Sequence, residues 1–218
     1  MTKRLMVLVS SIALLGSCNK EFIRGGGAIN SETRMVNPFT NVEMRGGGEA
    51  TINYGTAQAV SITGYQNLLA VYETKVIGNT LYLQFKSDIY NVRNNNIKVN
   101  ITLPVLAYLR INGSGKITAK NFADGVVLTA SINGSGYIFV GDSKYTKAAY
   151  SINGSGDIKA ATTTAIEAAA QITGSGNIEL NVSNKLMATI SGSGNINYWG
   201  NPVTAETQVS GSGKITKK

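Results

Sequence analysis

One phrase of seven residues recurs six times between Ile111 and Ile215, and it constrains the fold more than any other feature of the chain. In each copy an isoleucine or valine and one Asn, Thr or Ser precede Gly-Ser-Gly, which a variable residue and an isoleucine follow. The first glycines stand at 113, 134, 154, 174, 192 and 211, so the steps are 21, 20, 20, 18 and 19 residues. A period of this length, built from strand-forming residues, predicts a solenoid in which each repeat forms one coil.

Apolar and polar residues alternate through each copy. Around the second copy, Leu128, Ala130 and Ile132 share one parity with Gly134 and Gly136. Alternation of period two predicts strands with one buried face. A coil of about 20 residues accommodates three short strands and three corners, which is the cross-section of a parallel β-helix. Glycines of the buried parity predict corners at which the backbone approaches its neighbours closely.

Stacked coils place equivalent residues about 4.8 Å apart, so the repeat predicts ladders of side chains along the solenoid axis. The isoleucines form the predicted core column, and six serines form a second ladder at the corner. One polar ladder consists of Asn112, Asn133, Asn153, Thr173, Ser191 and Ser210. The variable position predicts a solvent-facing column of Lys116, Tyr137, Asp157, Asn177, Asn195 and Lys214.

The first residues have the pattern of an export signal. Lys3 and Arg4 precede an apolar run, and Leu15-Gly16-Ser17-Cys18 looks like a bacterial lipobox. We therefore interpret residues 1–17 as a lipoprotein signal peptide and Cys18 as the lipidated first residue of the mature protein. This predicts a lipid-anchored protein of the cell envelope, in the outer membrane, on its periplasmic face or at the cell surface. Residues 18–33 contain three consecutive glycines and are predicted to be a flexible tether.

Charge and composition exclude several classes of function. Without the signal peptide, 18 basic and 12 acidic residues remain, dispersed and without a basic block, so nucleic acid is not an expected partner. The chain has no histidine and one cysteine, which excludes a zinc site, and no aspartates recur at one position to hold calcium. No Gly-Ser-Gly copy satisfies a phosphate-loop or dinucleotide pattern. We expect no metal and no cofactor.

Residues 34–110 also have a β pattern, with turn signals at 46–48 and at Gly78-Asn79. We predict that they form irregular first coils, with a hairpin at Gly78-Asn79, and that one β-helix domain covers residues 34–218. The Gly-Ser-Gly coils occupy 111–218. The strands predicted before them are 39–44, 49–54, 60–63, 68–75, 81–85 and 97–103.

Candidate site residues are few. A pair of carboxylates could cleave a sugar polymer, and Asp124, Asp142, Asp157 and Glu179 are the candidates, but they fall at different phases of the coil. We therefore expect no catalytic residues. Exposed aromatic rings could stack on sugars or contact a protein, whereas the alternative is that they fill the core and cover corners. The candidate binding surface consists of Tyr137, Tyr145, Tyr150, Tyr198 and Trp199.

The chain also carries a combination of motifs that resembles a known family. These are Asn37 to Phe39, Val42-Glu43-Met44, Val60 to Gly64, Asn67-Leu68-Leu69, Gly78 to Leu83, Ile97 to Pro104 and the Gly-Ser-Gly phrases. Together they resemble the putative auto-transporter adhesin, head GIN domain family of bacterial exported proteins, over about residues 35–218. The resemblance implies a right-handed parallel β-helix in the cell envelope. It supplies no catalytic residues.

These observations favour a non-enzymatic, lipid-anchored envelope protein with a binding or adhesion role. Its partners would be the membrane and a glycan or envelope protein, and the residues leave its oligomeric state open. One alternative is a structural envelope subunit that assembles through the ends of the β-helix. A second alternative is a polysaccharide-active lyase or hydrolase.

Overall fold

The computed structural model describes residues 21–218, most of which form a β-solenoid of about six turns. The prediction of an all-β parallel β-helix with coils of about 20 residues is confirmed. The predicted signal peptide and the lipidation of Cys18 lie outside the described residues. Within residues 21–218, no helix is long and apolar enough to cross a membrane.

The chain up to Pro104 is less regular than the repeats that follow it. Its elements are β1 (Glu21–Arg24), β2 (Ile29–Thr33), β3 (Asn41–Gly46), β4 (Glu49–Tyr54), β5 (Ala59–Tyr65), α1 (Gln66–Leu69), β6 (Tyr72–Ile77), β7 (Thr80–Phe85), β8 (Ile89–Arg93) and β9 (Lys98–Leu103). The repeats form β10 (Tyr108–Gly113), β11 (Lys116–Lys120), β12 (Gly125–Gly134), β13 (Tyr137–Gly141), β14 (Lys144–Gly154), β15 (Asp157–Gly174), β16 (Asn177–Gly192), β17 (Asn195–Trp199), β18 (Thr204–Gly211) and β19 (Lys214–Lys217).

Two parallel walls meet at the Gly-Ser-Gly corner of each repeat coil. The first wall contains β7, β3, β10, β12, β14, β15, β16 and β18, in that spatial order. The second wall contains β9, β4, β11, β13, β15, β16, β17 and β19. β15 and β16 are long enough to contribute to both walls.

The predicted isoleucine column runs through the first wall. Ile111, Ile132, Ile152, Ile172 and Ile190 are in register, and none is more than 2% exposed. Burying one such side chain contributes about 1.5–3 kcal/mol, so the column is a main source of the stability of the repeats. One hydrophobic core of buried residues extends from Phe39 to Ile196.

A shorter third face returns the chain from the second wall to the first. Two adjacent exposed residues interrupt the alternation at Val126-Val127, at Thr146-Lys147 and at Ser183-Asn184. The backbone turns at these positions, because two successive side chains can point outward only around a corner. The coil therefore has the three faces that a 20-residue repeat predicts.

Close packing between coils explains the Gly-Ser-Gly phrase without a ligand. Ser175 N donates a hydrogen bond to Gly154 O at 2.9 Å, so the ladder between coils continues through the corner. Gly174 has φ +125°, which other residues rarely adopt, and a Cβ there would overlap the Gly154 carbonyl. A Cβ on Gly176 would lie 2.8 Å from Ile152 Cγ2. Only glycine allows successive coils to approach this closely.

Stacking order departs from chain order in the first half. The β3–β4 layer lies between the β7–β9 layer and the β10–β11 layer. Antiparallel strands then cover this end of the solenoid, since β5 pairs with β9, β2 pairs with β5, and β6 pairs with β7. We call this the capped end. The predicted hairpin at Gly78-Asn79 is the β6–β7 turn, whereas the strand predicted over 68–75 is divided between α1 and β6.

The prediction of a flexible tether over residues 18–33 is wrong for residues 21–33. β1 pairs with β8, Gly25 N donates to Arg93 O at 2.8 Å, and the Asn67 side chain bonds to both Gly26 N and Arg24 O. β2 is an edge strand whose five residues are all exposed. An edge strand held by backbone hydrogen bonds needs no apolar face, so its composition resembles that of a linker.

Candidate functional site

The structure corrects two members of the predicted aromatic surface. Tyr145 and Tyr150 are only 3% and 2% exposed, so neither ring is presented on the outer surface of the coil. Tyr150 is in register with Ala130 and Ala170, and Tyr145 with Gly125 and Ala165. These small neighbours leave room for the two rings inside the coil. Burial raises the pKa of both phenols above its ordinary value, and Tyr145 Oη donates to Leu106 O at 3.3 Å.

The other three aromatic residues do not form one cluster. Tyr137 is half-buried on the outer face of the second wall, with Lys116 Nζ 5.7 Å from its ring centroid. Tyr198 is in register with the buried Leu180, and its side chain packs against the core. Trp199 is half-buried three layers from Tyr137, at a different position across the wall, which is about 14 Å along the axis alone.

Hydrogen-bonded asparagines form a ladder on each wall, and the last asparagine of each ladder donates to a carboxylate. On the second wall Asn195 Nδ2 donates to Asn177 Oδ1 at 3.1 Å, and Asn177 Nδ2 donates to Asp157 Oδ1 at 2.8 Å. On the first wall Asn133 donates to Asn112 at 2.9 Å, and Asn112 donates to Glu43 Oε1 at 2.9 Å. In each ladder the side-chain amides donate in the direction of the carboxylate. The hydrogen bond to the carboxylate is charge-assisted and is therefore stronger than the bonds between amides.

The four candidate catalytic carboxylates are dispersed over the solenoid or hydrogen-bonded to other side chains. Asp157 accepts the ladder hydrogen bond, and Glu179 accepts one from Lys159 Nζ at 2.7 Å, which raises the pKa of Lys159. Asp142 has φ +51° in the turn after β13, and Asp124 is exposed on another loop. Within residues 21–218, no group of three or more Cys, Asp or Glu side chains could hold a metal ion.

A polar cleft of about 860 Å³ is lined by charged side chains, and the sequence analysis did not predict it. It lies between the Gly46–Gly48 corner, the segment containing β8, and the Ser114–Lys116 corner. The polar residues on its walls include Arg45, Glu49, Gln84, Ser87, Asn91, Lys98 and Lys116.

The charges of the cleft follow from strand register. Lys98 and Lys116 are the neighbours of Glu49 on the two adjacent strands, β9 and β11, and Lys98 Nζ lies 4.0 Å from Glu49 Oε2. One carboxylate therefore stands between two exposed ammonium groups, which leaves positive charge on this wall. The signal for the cleft was weak in the sequence, because Lys98 is 49 positions from Glu49 and only the stacking order brings them together.

Arg45 is the oriented cation of the cleft. Its Nε donates to Glu43 at 2.6 Å, its Nη1 to Gln84 at 3.4 Å, and its guanidinium lies 4.5 Å from the Tyr82 ring centroid. Since Glu43 is almost buried and also ends an asparagine ladder, the Arg45 side chain is held from three directions. Half of that side chain remains exposed, so a fixed set of donors faces the cleft.

A second cavity of about 480 Å³ lies on the opposite side of the coil, where the second wall ends. It is mostly apolar, lined by Tyr54, Leu106, Phe122, Val126 and Tyr145 among others. Val126 is 71% exposed at its mouth, and the rings of Tyr54 and Phe122 meet edge to face at 6.1 Å. Polar recognition chemistry is therefore concentrated in the first cleft.

Comparisons with known proteins agree with this architecture. A putative adhesin from Bacteroides fragilis has the same fold, with a TM-score of 0.70 and 23% identity over 90% of this chain and 100% of that one. A putative lipid binding protein from Parabacteroides distasonis gives a TM-score of 0.61 and 23% identity over 91% of this chain and all of the other. At this identity the likeness shows the fold alone. A comparison with curated proteins gives no match. The model of one family matches residues 38–202, and the chain belongs to that family, described as putative auto-transporter adhesin, head GIN domain.

Proposed function

We propose that this protein is a non-enzymatic binding protein of the cell envelope, anchored in the membrane through lipid on Cys18. We further propose that its ligand is an anionic polysaccharide, held in the cleft at the Gly46–Gly48 corner. The cleft carries the proposal, because it combines an oriented arginine with two exposed lysines and uncharged polar side chains. The family and its structural relatives are named as adhesins or binding proteins, which supports a binding role in the envelope.

The chemistry of the lining favours a saccharide with acidic groups. Arg45, Lys98 and Lys116 can donate charge-assisted hydrogen bonds to carboxylate, phosphate or sulfate oxygens. Asn91 and Ser87 supply the uncharged donors and acceptors that sugar hydroxyls require. Lys116, which lines the cleft, lies on the second wall with its Nζ 5.7 Å from the centroid of the Tyr137 ring. A half-exposed ring beside a cleft can stack on the apolar face of a sugar.

The test is a polysaccharide-binding measurement on residues 19–218 made without the lipid. The variant Lys98→Ala/Lys116→Ala removes the two exposed lysine ammonium groups of the cleft. The matched control is Lys144→Ala/Lys147→Ala, since these lysines are also exposed but lie on the third face. Loss of two partly exposed charge contacts at about 1 kcal/mol each predicts roughly 30-fold weaker binding of an acidic polysaccharide.

The control should bind within about two-fold of the unmodified protein, because dispersed charge alone contributes little at physiological salt. If both variants bound the polysaccharide equally weakly, binding would depend on overall charge and not on the cleft. Binding to envelope extract that survives removal of polysaccharide, but not protease treatment, would identify a protein ligand instead. An absence of binding to every acidic polysaccharide tested would contradict the proposal.

A further inference from the structure

The exposed surface around β1 is positioned for contact with a membrane. We infer that Phe22, Arg24 and Arg93 form a membrane-contact patch, which holds the capped end of the solenoid against the lipid surface with the last coils farther away. This inference rests on the lipid anchor of the proposed function. It adds a defined orientation, because β1 is part of the folded structure and is not a tether.

Chain length supplies the first argument. Only Asn19 and Lys20 lie between Cys18 and the start of β1 at Glu21. Three residues of fully extended chain span at most about 10 Å. A lipid on Cys18 must therefore keep β1 within that distance of the headgroups, and β8 is held with it through the paired backbone. Gly25 N donates to Arg93 O, which ties the end of β1 to the end of β8.

The side chains on this surface fit such a position. Phe22 is 62% exposed, and the Arg93 guanidinium carbon lies 5.2 Å from its ring centroid. Arg24 is exposed on the same strand. An exposed aromatic ring with arginines on the same surface is typical of protein segments that contact membranes. There the ring inserts at the level of the headgroups, and the arginines are attracted to anionic lipids.

The orientation affects the polar cleft as well. Asn91 and Val92 of β8 line the cleft, and β8 pairs with β1, so the cleft is one strand away from β1. A ligand in the cleft would then lie beside the membrane surface. Trp199 on β17 lies six layers from β9, which is about 29 Å along the axis.

Trp199 is the only tryptophan, so fluorescence quenching by lipids with brominated acyl chains can test the orientation. Three lipidated proteins are reconstituted into phosphatidylethanolamine–phosphatidylglycerol vesicles. The first is unmodified. The second is Phe22→Trp in a Trp199→Phe background. The third is Val126→Trp in the same background, a matched control because Val126 is 71% exposed and lines the second cavity, not the cleft that β8 lines.

We expect the tryptophan of Phe22→Trp to lose about half of its fluorescence, and the other two probes to lose about a tenth or less, because bromines quench only at the interface and below. Comparable quenching of the Val126→Trp probe would show that another face contacts the membrane. An unquenched Phe22→Trp probe would also overturn the inference. Intact mass of the purified proteins is measured first. Absence of acyl chains would contradict the anchor itself, whereas acylated protein with an unquenched probe would contradict only the orientation.

Discussion

The close approach of successive coils at the glycine corner makes a quantitative prediction for Gly176→Ala. A Cβ at this position would overlap the Gly156 carbonyl oxygen and would lie 2.8 Å from Ile152 Cγ2 and 3.2 Å from Ile152 Cδ1. The backbone at Gly176 does not have a positive φ, so the effect is steric alone. Overpacking of a close-packed site costs about 1–3 kcal/mol, and here the obstructing atom is a ladder carbonyl that cannot rotate away.

The unfolded chain opposes this cost, since replacing glycine with alanine stabilises by about 0.4–1 kcal/mol through lost unfolded-state entropy. Because the obstructing carbonyl is fixed, the upper part of the overpacking range applies, and a net loss of about 2 kcal/mol is expected. For a protein of this size the loss corresponds to a fall in Tm of about 4–8 °C. Gly174→Ala should lower Tm further, because it adds a left-handed φ of +125° to a similar overlap.

The assay is thermal unfolding followed by circular dichroism, with Gly26→Ala as the control. Gly26 has no atom within 4 Å of a built Cβ and no positive φ, so this variant should unfold at or slightly above the temperature of the unmodified protein. Repeat proteins do not always unfold in two states, so Tm is the appropriate comparison. Unfolding of Gly176→Ala within about 1 °C of Gly26→Ala would refute close packing at the corner.

Three further predictions concern a core tyrosine, a ladder carboxylate and the buried phenols. Tyr150→Ala should cost about 3–5 kcal/mol of unfolding free energy by denaturant titration, as expected for a core ring and not for a ligand contact. Asp157→Ala leaves the Asn177 amide without its acceptor and should cost about 1 kcal/mol, whereas Asp157→Asn should restore part of that loss. Burial raises the pKa of Tyr72, Tyr145 and Tyr150, so these phenols ionise first in the unfolded chain. The free energy of unfolding is therefore unaffected by the ionisation of these phenols below the ordinary tyrosine pKa of about 10, and it falls as the pH rises above that value. Tyr150→Phe removes one of the three phenols and should make this fall in stability at alkaline pH shallower.

The regular repeat and the alternation of apolar and polar residues were enough to predict most of the structure of the Gly-Ser-Gly coils. The period of the Gly-Ser-Gly phrase determines the coil length, and alternation determines which residues face inward, because ladder hydrogen bonds keep equivalent residues in register. The burial of Tyr150 was readable by the same rule, since it has the parity of Ile152. Its assignment to a surface was an error of interpretation. The equivalent residues of the two neighbouring coils, Ala130 and Ala170, are small, which also indicated a buried ring at position 150.

Outside the repeats, the sequence by itself determined the presence of strands and the hairpin at Gly78-Asn79, but tertiary structure decided how they stack. β7 and β9 lie on the far side of β3–β4 from β10–β11, and this order puts Lys98 beside Glu49 and creates the cleft. Tertiary pairing also made strands of residues 21–24 and 29–33, within the segment predicted to be a tether. The physical reason is the same in each case: a free strand edge accepts any backbone that can complete its hydrogen bonds, and non-repeating side chains do not encode which segment will do so.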